Sequence, residues 1–135
     1  IDTSSGTNFY AAWFVCSSLT SFPLLDTSSG TSFQRAWQNC SGLTSFPANF
    51  FDSWTEIPVD DCFSQTWDGC TSLTAASVEN ILVSIDTSGV SAPGSGTNID
   101  IDYDVATGSL SSATTTAITN LKGKGWTPTI NGVVQ

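Results

Sequence analysis

The chain repeats one pattern of large side chains, and this repeat constrains the fold more than any other feature. Phe9 and Trp13 return 24 positions later as Phe33 and Trp37, and a third copy starts 30 positions further on, at Phe63. A repeat of this period predicts stacked units, each of which buries its large side chains only against its neighbours. The matched positions of the three copies are Phe9, Trp13, Cys16, Leu19 and Phe22; Phe33, Trp37, Cys40, Leu43 and Phe46; and Phe63, Trp67, Cys70 and Leu73.

The spacing inside one copy predicts its local structure. The apolar residues between Phe9 and Cys16 are spaced i, i+3, i+4 and i+7, which predicts an α-helix of about two turns. Leu19 and Phe22 follow at a spacing of three, which fits a short extended segment or a tight turn, and Pro23 then fixes the next turn. We therefore expect an α/β repeat solenoid, a short coil of about three 24-residue units.

The pattern changes after the third copy. Apolar residues at helical spacing within 78–85 predict a helix, and the alternation of Ile or Tyr with Asp over 99–105 predicts a half-buried strand. A second helix is predicted around 113–121, followed by a short strand. Because the end of a stack must cover its own core, we expect a solenoid over residues 1–85 and an α/β capping unit over residues 86–135.

The repeat also resembles a known family. The pattern Phe-x-x-Ala-Trp-x-x-Cys-x-x-Leu-x-x-Phe-Pro is similar to the leucine-rich repeats of the Treponema/BspA type, which read roughly Ala-Phe-x-x-Cys-x-x-Leu-x-x-Ile. Trp13, Trp37 and Trp67 stand where that family usually has Phe, and Thr66 replaces Ala in the third copy. The resemblance extends to repeats of phage structural proteins and bacterial surface proteins. It implies a leucine-rich-repeat coil and a location on a virion or extracellular surface.

Charge and composition exclude several functions. The net charge is −9, from 12 acidic and 3 basic residues, so the chain cannot neutralise a nucleic-acid backbone. No stretch is apolar enough for membrane insertion. The absence of His removes the usual general base, so we expect no enzyme. The expected function is recognition or adhesion, with a cell-surface glycan or protein as partner and the chain as the distal part of a tail-fibre-like or bacterial surface protein; the alternative is a structural spacer or self-associating filament unit.

An insertion between the second and third copies is the main candidate ligand site. It adds Phe50, Phe51 and Trp54, with Glu56 beside them. Exposed aromatic rings next to a carboxylate suit a sugar or a protein surface. The alternative is that these rings fold back and fill an irregular gap between two units.

Three carboxylates on the predicted strand form a weaker candidate. Asp100, Asp102 and Asp104 lie on one strand face, where they would suit a hard cation such as Ca²⁺. The alternative is a solvated strand face. No other metal and no cofactor are expected.

The four cysteines lack the spacing of a zinc site. We expect Cys16, Cys40 and Cys70 to be buried free thiols, with a disulfide from Cys62 to Cys40 or Cys70 as the alternative.

The first copy is expected to be open on one side. The string at 2–6 returns at 26–30, so we expect the chain to be the end of a longer protein, truncated within a repeat. An uncovered apolar face promotes association. We therefore expect the protein to form a head-to-head dimer, or to pack, through residues 1–25.

Overall fold

The regular secondary structure lies in the second half of the chain. A computed structural model describes all residues, 1–135, and contains one mixed four-stranded sheet with the strand order β1-β2-β3-β4. The β1–β2 and β2–β3 pairs are parallel, and β3–β4 is antiparallel. Neither α-helix has the length and apolar character needed to cross a membrane. The elements are β1 (Phe63–Trp67), α1 (Ala75–Ser88), β2 (Asn98–Ile101), a 3₁₀ turn (Val105–Thr107), α2 (Ser112–Gly123), β3 (Thr127–Ile130) and β4 (Val133–Val134).

The predicted solenoid is wrong. The first two copies of the repeat contain no helix and no strand; only two isolated bridges, Asn8–Ser32 and Ser21–Ser45, connect them in strand fashion. The chain forms a small domain with one sheet and two helices, and the two helices lie after the third copy.

Consecutive tight turns replace the predicted helix. The N–H of Ala12 donates to the carbonyl of Phe9, and that of Cys16 to the carbonyl of Trp13, each over 3.2 Å. Ala11 and Val15 have φ values of +51° and +60°, as the third residue of a type II turn requires. A helix needs negative φ at every residue, so these values exclude one. We call residues 9–16, 33–40 and 63–70 the tandem-turn segments; the third contains β1, and its Gln65 and Gly69 have positive φ at the positions of Ala11 and Val15.

Pairing with the next copy explains why turns replace the helix. An isolated helix of two turns is too short to be stable in water. In the turn arrangement, every second N–H from Phe9 to Val15 donates to the next copy over 2.8 to 3.0 Å. The pairs are Phe9–Ser32, Ala11–Gln34, Trp13–Ala36 and Val15–Gln38, repeated as Phe33–Cys62, Arg35–Ser64, Trp37–Thr66 and Asn39–Asp68.

Equivalent aromatic rings stack along the repeat. The indole of Trp37 lies 5.1 Å from that of Trp13 and 5.4 Å from that of Trp67, nearly parallel to both. The Phe46 ring packs edge-on against Trp37 and Trp67. Such offset-stacked and edge-to-face contacts are the favoured geometries of aromatic pairs. The rings therefore form the centre of the core.

The C-terminal half confirms the two helices predicted there. Thr74 caps the start of α1 and Gly89, with a φ of +76°, ends it; Ser111 caps α2. The predicted boundary after residue 85 falls inside α1. One hydrophobic core spans both parts, and Trp126 packs against Trp54 and Phe63 across that boundary.

Candidate functional site

The first copy has one face that no other part of the chain covers. Ala12 and Cys16 are exposed, whereas their equivalents Ala36 and Cys40 are fully buried. Trp13 is partly exposed, although its equivalent in the second copy is fully buried. We call this surface the open face; it consists of Asn8, Tyr10, Ala12, Trp13, Phe14 and Cys16.

The open face carries a row of unpaired backbone carbonyls. In the second copy, the carbonyls of alternate residues from Ser32 to Gln38 accept the N–H groups of the first copy. Their equivalents in the first copy accept no backbone hydrogen bond. This row therefore needs donors from outside the chain or from water. Its members are Asn8, Tyr10, Ala12 and Phe14.

The thiol of Cys16 lacks the partner that its equivalents have. The Cys40 thiol donates to the Trp13 carbonyl, and the Cys70 thiol to the Trp37 carbonyl, each over 3.0 Å. These bonds run from each copy to the one before it. Burial raises the pKa of Cys70 to about 12. The Cys16 thiol donates to no carbonyl and remains exposed.

All four cysteines are free in the structure, and the alternative disulfides from Cys62 are not formed. Cys62 is fully buried, and this burial raises the pKa of its thiol to about 12. Cys40 and Cys70 are buried as expected, but the expectation that Cys16 is buried is wrong.

Aspartate side chains close the opposite end of the repeat. Gln65 N–H donates to Oδ2 of Asp100 over 2.7 Å, and Gly69 N–H donates to Oδ2 of Asp102 over 2.9 Å. Ile99 and Ile101 of β2 pair with Phe63 and Trp67 of β1, so two residues of β2 cover the length of four residues of β1. The backbone carbonyls of β2 are therefore too few to accept every N–H of the third tandem-turn segment. The two carboxylates stand in for the missing carbonyl oxygens.

The predicted cation row has these structural roles instead. Asp104 accepts the Ala106 N–H over 2.9 Å and caps the 3₁₀ turn. Nowhere in the chain do three carboxylate, thiol or imidazole side chains converge as a metal site requires. The three carboxylates of Asp100, Asp102 and Asp104 are half-buried, and each accepts from a different backbone N–H. They therefore form neither a shared Ca²⁺ site nor a fully solvated strand face.

The aromatic rings of the insertion are buried. Phe50, Phe51 and Trp54 are exposed by only 4%, 0% and 1%, and the Trp54 indole donates to the Gly30 carbonyl over 2.7 Å. They fill the gap between the second and third copies, which was the alternative reading of the insertion. Of the four candidate ligand-binding residues, only Glu56 is exposed. The three rings therefore present no surface on which a sugar could stack.

Charged side chains elsewhere serve local structure. Asp2 and Asp26 accept both the hydroxyl and the backbone N–H of the serine two residues later, and the hydroxyl bond, assisted by the N–H, lowers the pKa of each carboxyl. Lys124 pairs with Asp86, which links α2 to α1.

One repeat position in the sequence indicates the turns that form the open face, although the spacing of the apolar residues does not. The position of Val15 is occupied by Asn39 in the second copy and by Gly69 in the third. Asn and Gly are the residues that most readily adopt positive φ. Their recurrence indicates a turn at this position, and hence the alternate N–H pairing that leaves a carbonyl row free on the first copy.

No protein-family model, no curated protein and no solved structure matches this chain. The resemblance to leucine-rich repeats of the Treponema/BspA type stays a prediction from the repeat residues.

Proposed function

We propose that this chain is a non-enzymatic recognition module that binds a polypeptide segment along the open face. The observation that carries this proposal is the row of four carbonyls, at alternate residues from Asn8 to Phe14, that have no backbone donor. A polypeptide supplies N–H groups at regular intervals, and main-chain bonding to an unpaired backbone edge is a recurring mode of peptide recognition. The module thus binds through its backbone.

The side chains around this row suit a protein interface. Tyr10 and Phe14 are exposed by 51% and 46%, and Trp13 offers one side of its indole because the other side stacks on Trp37. Aromatic residues are enriched at the centres of protein interfaces, where they bury large areas at low entropic cost. These rings supply the apolar contacts of the bound segment.

A polypeptide is favoured over a glycan as the partner. The rings expected to stack on a sugar, those of Phe50, Phe51 and Trp54, are buried. The open face instead offers acceptors in a backbone row, which matches a chain of amides. The placement in a tail-fibre-like virion protein or a bacterial surface protein is part of the proposal and is supported by the repeat resemblance alone.

A pair of variants tests the proposal. Ala12→Arg places a long charged side chain in the middle of the open face, where the native residue is exposed, and should leave the fold intact. Ala76→Arg makes the same change at an exposed position of α1. The labelled proteins are applied to a displayed peptide library and to a glycan array.

We expect peptide ligands that bind the parent chain and Ala76→Arg but not Ala12→Arg. Equal binding by all three proteins would place the ligand site elsewhere. Glycan binding that survives Ala12→Arg would overturn the choice of partner.

A structural spacer is the second candidate function. The first and second copies are joined by one set of backbone hydrogen bonds and ring contacts, and the second and third copies are joined by the same set. This regularity favours the spacer. Such a repeat extends a rigid rod without any ligand. An absence of peptide and glycan ligands on both arrays would support the spacer and reject recognition.

A further inference from the structure

We infer that the open face fits one specific kind of polypeptide, a further tandem-turn unit of the same 24-residue type. This inference rests on the proposed polypeptide recognition and names its ligand. It follows from the spacing of the acceptors and from the side chains between them.

The spacing of the carbonyls selects a tandem turn over an ordinary strand. Where the extended strand β2 meets the third tandem-turn segment, two strand residues span the distance from Phe63 to Trp67, which is four residues. Two carboxylates are then needed to complete the pairing. An ordinary strand on the open face would meet the same mismatch and reach only about half of the carbonyls. A tandem-turn segment reaches all four, as the first copy does on the second.

The side chains of the open face match the same partner. Stacked indoles along the repeat lie 5.1 to 5.4 Å apart, and the outer side of Trp13 is free to accept one more. The Cys16 thiol has no acceptor, whereas Cys40 and Cys70 each donate to the Trp carbonyl of the preceding copy. A preceding unit would supply both the indole and that carbonyl.

A second copy of this chain fits the face less well. In a head-to-head dimer, the two carbonyl rows would face each other, and neither row contains a donor. Buried acceptors without donors are unfavourable. Head-to-tail stacking is blocked because β2 and its carboxylates close the opposite end of the repeat.

For the test, such a unit can be fused to the chain in the register of the repeat. Ile1 is the counterpart of Leu25, and Asp-Thr-Ser-Ser-Gly follows each of them. The Thr3 hydroxyl donates to the Asp26 carbonyl over 2.7 Å, so these two turns already stack. A residue equivalent to Leu24 can therefore be linked to Ile1 by an ordinary peptide bond, without an added linker.

The test is an extended protein in which a second copy of residues 1–24 precedes Ile1. The Cys of the added copy is replaced by Ser, so that Cys16 remains the exposed thiol to be measured. In the parent chain, one thiol of the four should react quickly with a thiol reagent, because only Cys16 is exposed. In the extended protein, we expect the reaction of Cys16 to slow by at least about tenfold, because a thiol buried in a stable contact reacts only after local opening.

Two controls make the result specific. The first adds the same 24 residues in scrambled order, which preserves composition but removes the repeat. The second adds the ordered copy with Ser in place of its Phe and Trp at the positions equivalent to Phe9 and Trp13. Neither control should protect Cys16.

Unchanged reactivity of Cys16 in the extended protein, or equal protection by the scrambled copy, would overturn the inference. Protection of Cys16 in the parent chain as its concentration rises would also overturn it, because a second copy would then cover the face. The proposed function is tested separately. Loss of peptide binding in Ala12→Arg would support it even if the added unit failed to protect Cys16.

Discussion

The first and second copies of the repeat have nearly the same pattern of large residues but different surroundings. Trp37 is fully buried between two indoles, whereas Trp13 stacks on one side only and is partly exposed. Ala36 is buried and Ala12 is exposed. In a stacked repeat, burial is therefore a property of the neighbours and not of the residue type. The same pattern forms a core in one copy and an exposed surface in the other.

The two ends of the repeat show a second contrast. At the end formed by the third copy, Asp100 and Asp102 accept the N–H groups that have no further copy to bind. At the other end, the carbonyls of Tyr10 and Ala12 have no such substitute. One end is closed by its own chain, and the other keeps its backbone groups available.

Truncating the two stacked indoles should give the largest difference between the copies. Trp37→Ala should destabilise the protein by about 3–5 kcal/mol, as other buried aromatic deletions do, and Trp13→Ala by no more than about half of that. Urea unfolding of both variants measures the difference. Because the Trp37 indole N–H has no hydrogen-bond acceptor, Trp37→Phe should retain most of the stability. Equal losses for the two Ala variants would show that Trp13 is as buried as Trp37.

Alkaline pH should reveal the burial of the Cys70 thiol, which occupies the same repeat position as the exposed Cys16. Burial raises the pKa of Cys70 from 9.0 to about 12. As pH rises, the unfolded chain loses this proton first, so the stabilising contribution is complete below about pH 9 and falls as pH approaches 12. Urea unfolding between these pH values, under reducing conditions, should show the decline. Cys70→Ser should reduce the slope of this decline. An unchanged slope in Cys70→Ser would contradict the burial of this thiol.

Removing one of the aspartates that bind the third copy should reduce the free energy of unfolding by a moderate amount. Asp102→Ala leaves the Gly69 N–H without its acceptor, which should destabilise the protein by about 1–3 kcal/mol. Asp102→Asn keeps a side-chain oxygen in place and should cost less. Thermal unfolding of both variants measures the difference. If Asp102→Ala and Asp102→Asn reduce the stability equally, the side-chain oxygen at this position does not contribute through its bond to the Gly69 N–H.

The smallest expected effect concerns the backbone strain at Val15. A β-branched residue at a φ of +60° is unfavourable, and the equivalent positions carry Asn39 and Gly69. Val15→Asn should stabilise the protein by about 1 kcal/mol, and the reverse change Asn39→Val should destabilise it by a similar amount. Urea unfolding checks both changes. A loss of stability in Val15→Asn would mean that the Val side chain makes a contact that outweighs the strain.

The elements after the third copy could be predicted because their patterns are local. The helical spacing from Val78 to Ile85 and the capping residue Ser111 both lie within the helices they predict. The strand from Asn98 to Ile101 follows from alternation, although the structure ends it before the last predicted residues. Local pattern and tertiary packing agree in this part of the chain.

The first two copies could not be predicted in the same way. The spacing from Phe9 to Cys16 fits a helix and a run of tandem turns equally well, since both bring these side chains to one side. The outcome depends on hydrogen bonds to the next copy, which are tertiary contacts invisible in a single unit. Ala11 and Val15 at positive φ also run against residue preference. The same limit applies to Asp100 and Asp102, whose partners are backbone groups of another element.

The most direct test of the tandem-turn account is an NMR measurement of couplings across the backbone hydrogen bonds. The amide of Trp13 should couple to the carbonyl carbon of Ala36, and the amide of Trp37 to the carbonyl carbon of Thr66. The carbonyl carbons of Tyr10, Ala12 and Phe14 should show no coupling to any amide of the chain, because they form the free acceptor row. Coupling of the Trp13 amide to the Phe9 carbonyl would instead indicate a helix, and would contradict both the tandem turns and the open face built on them.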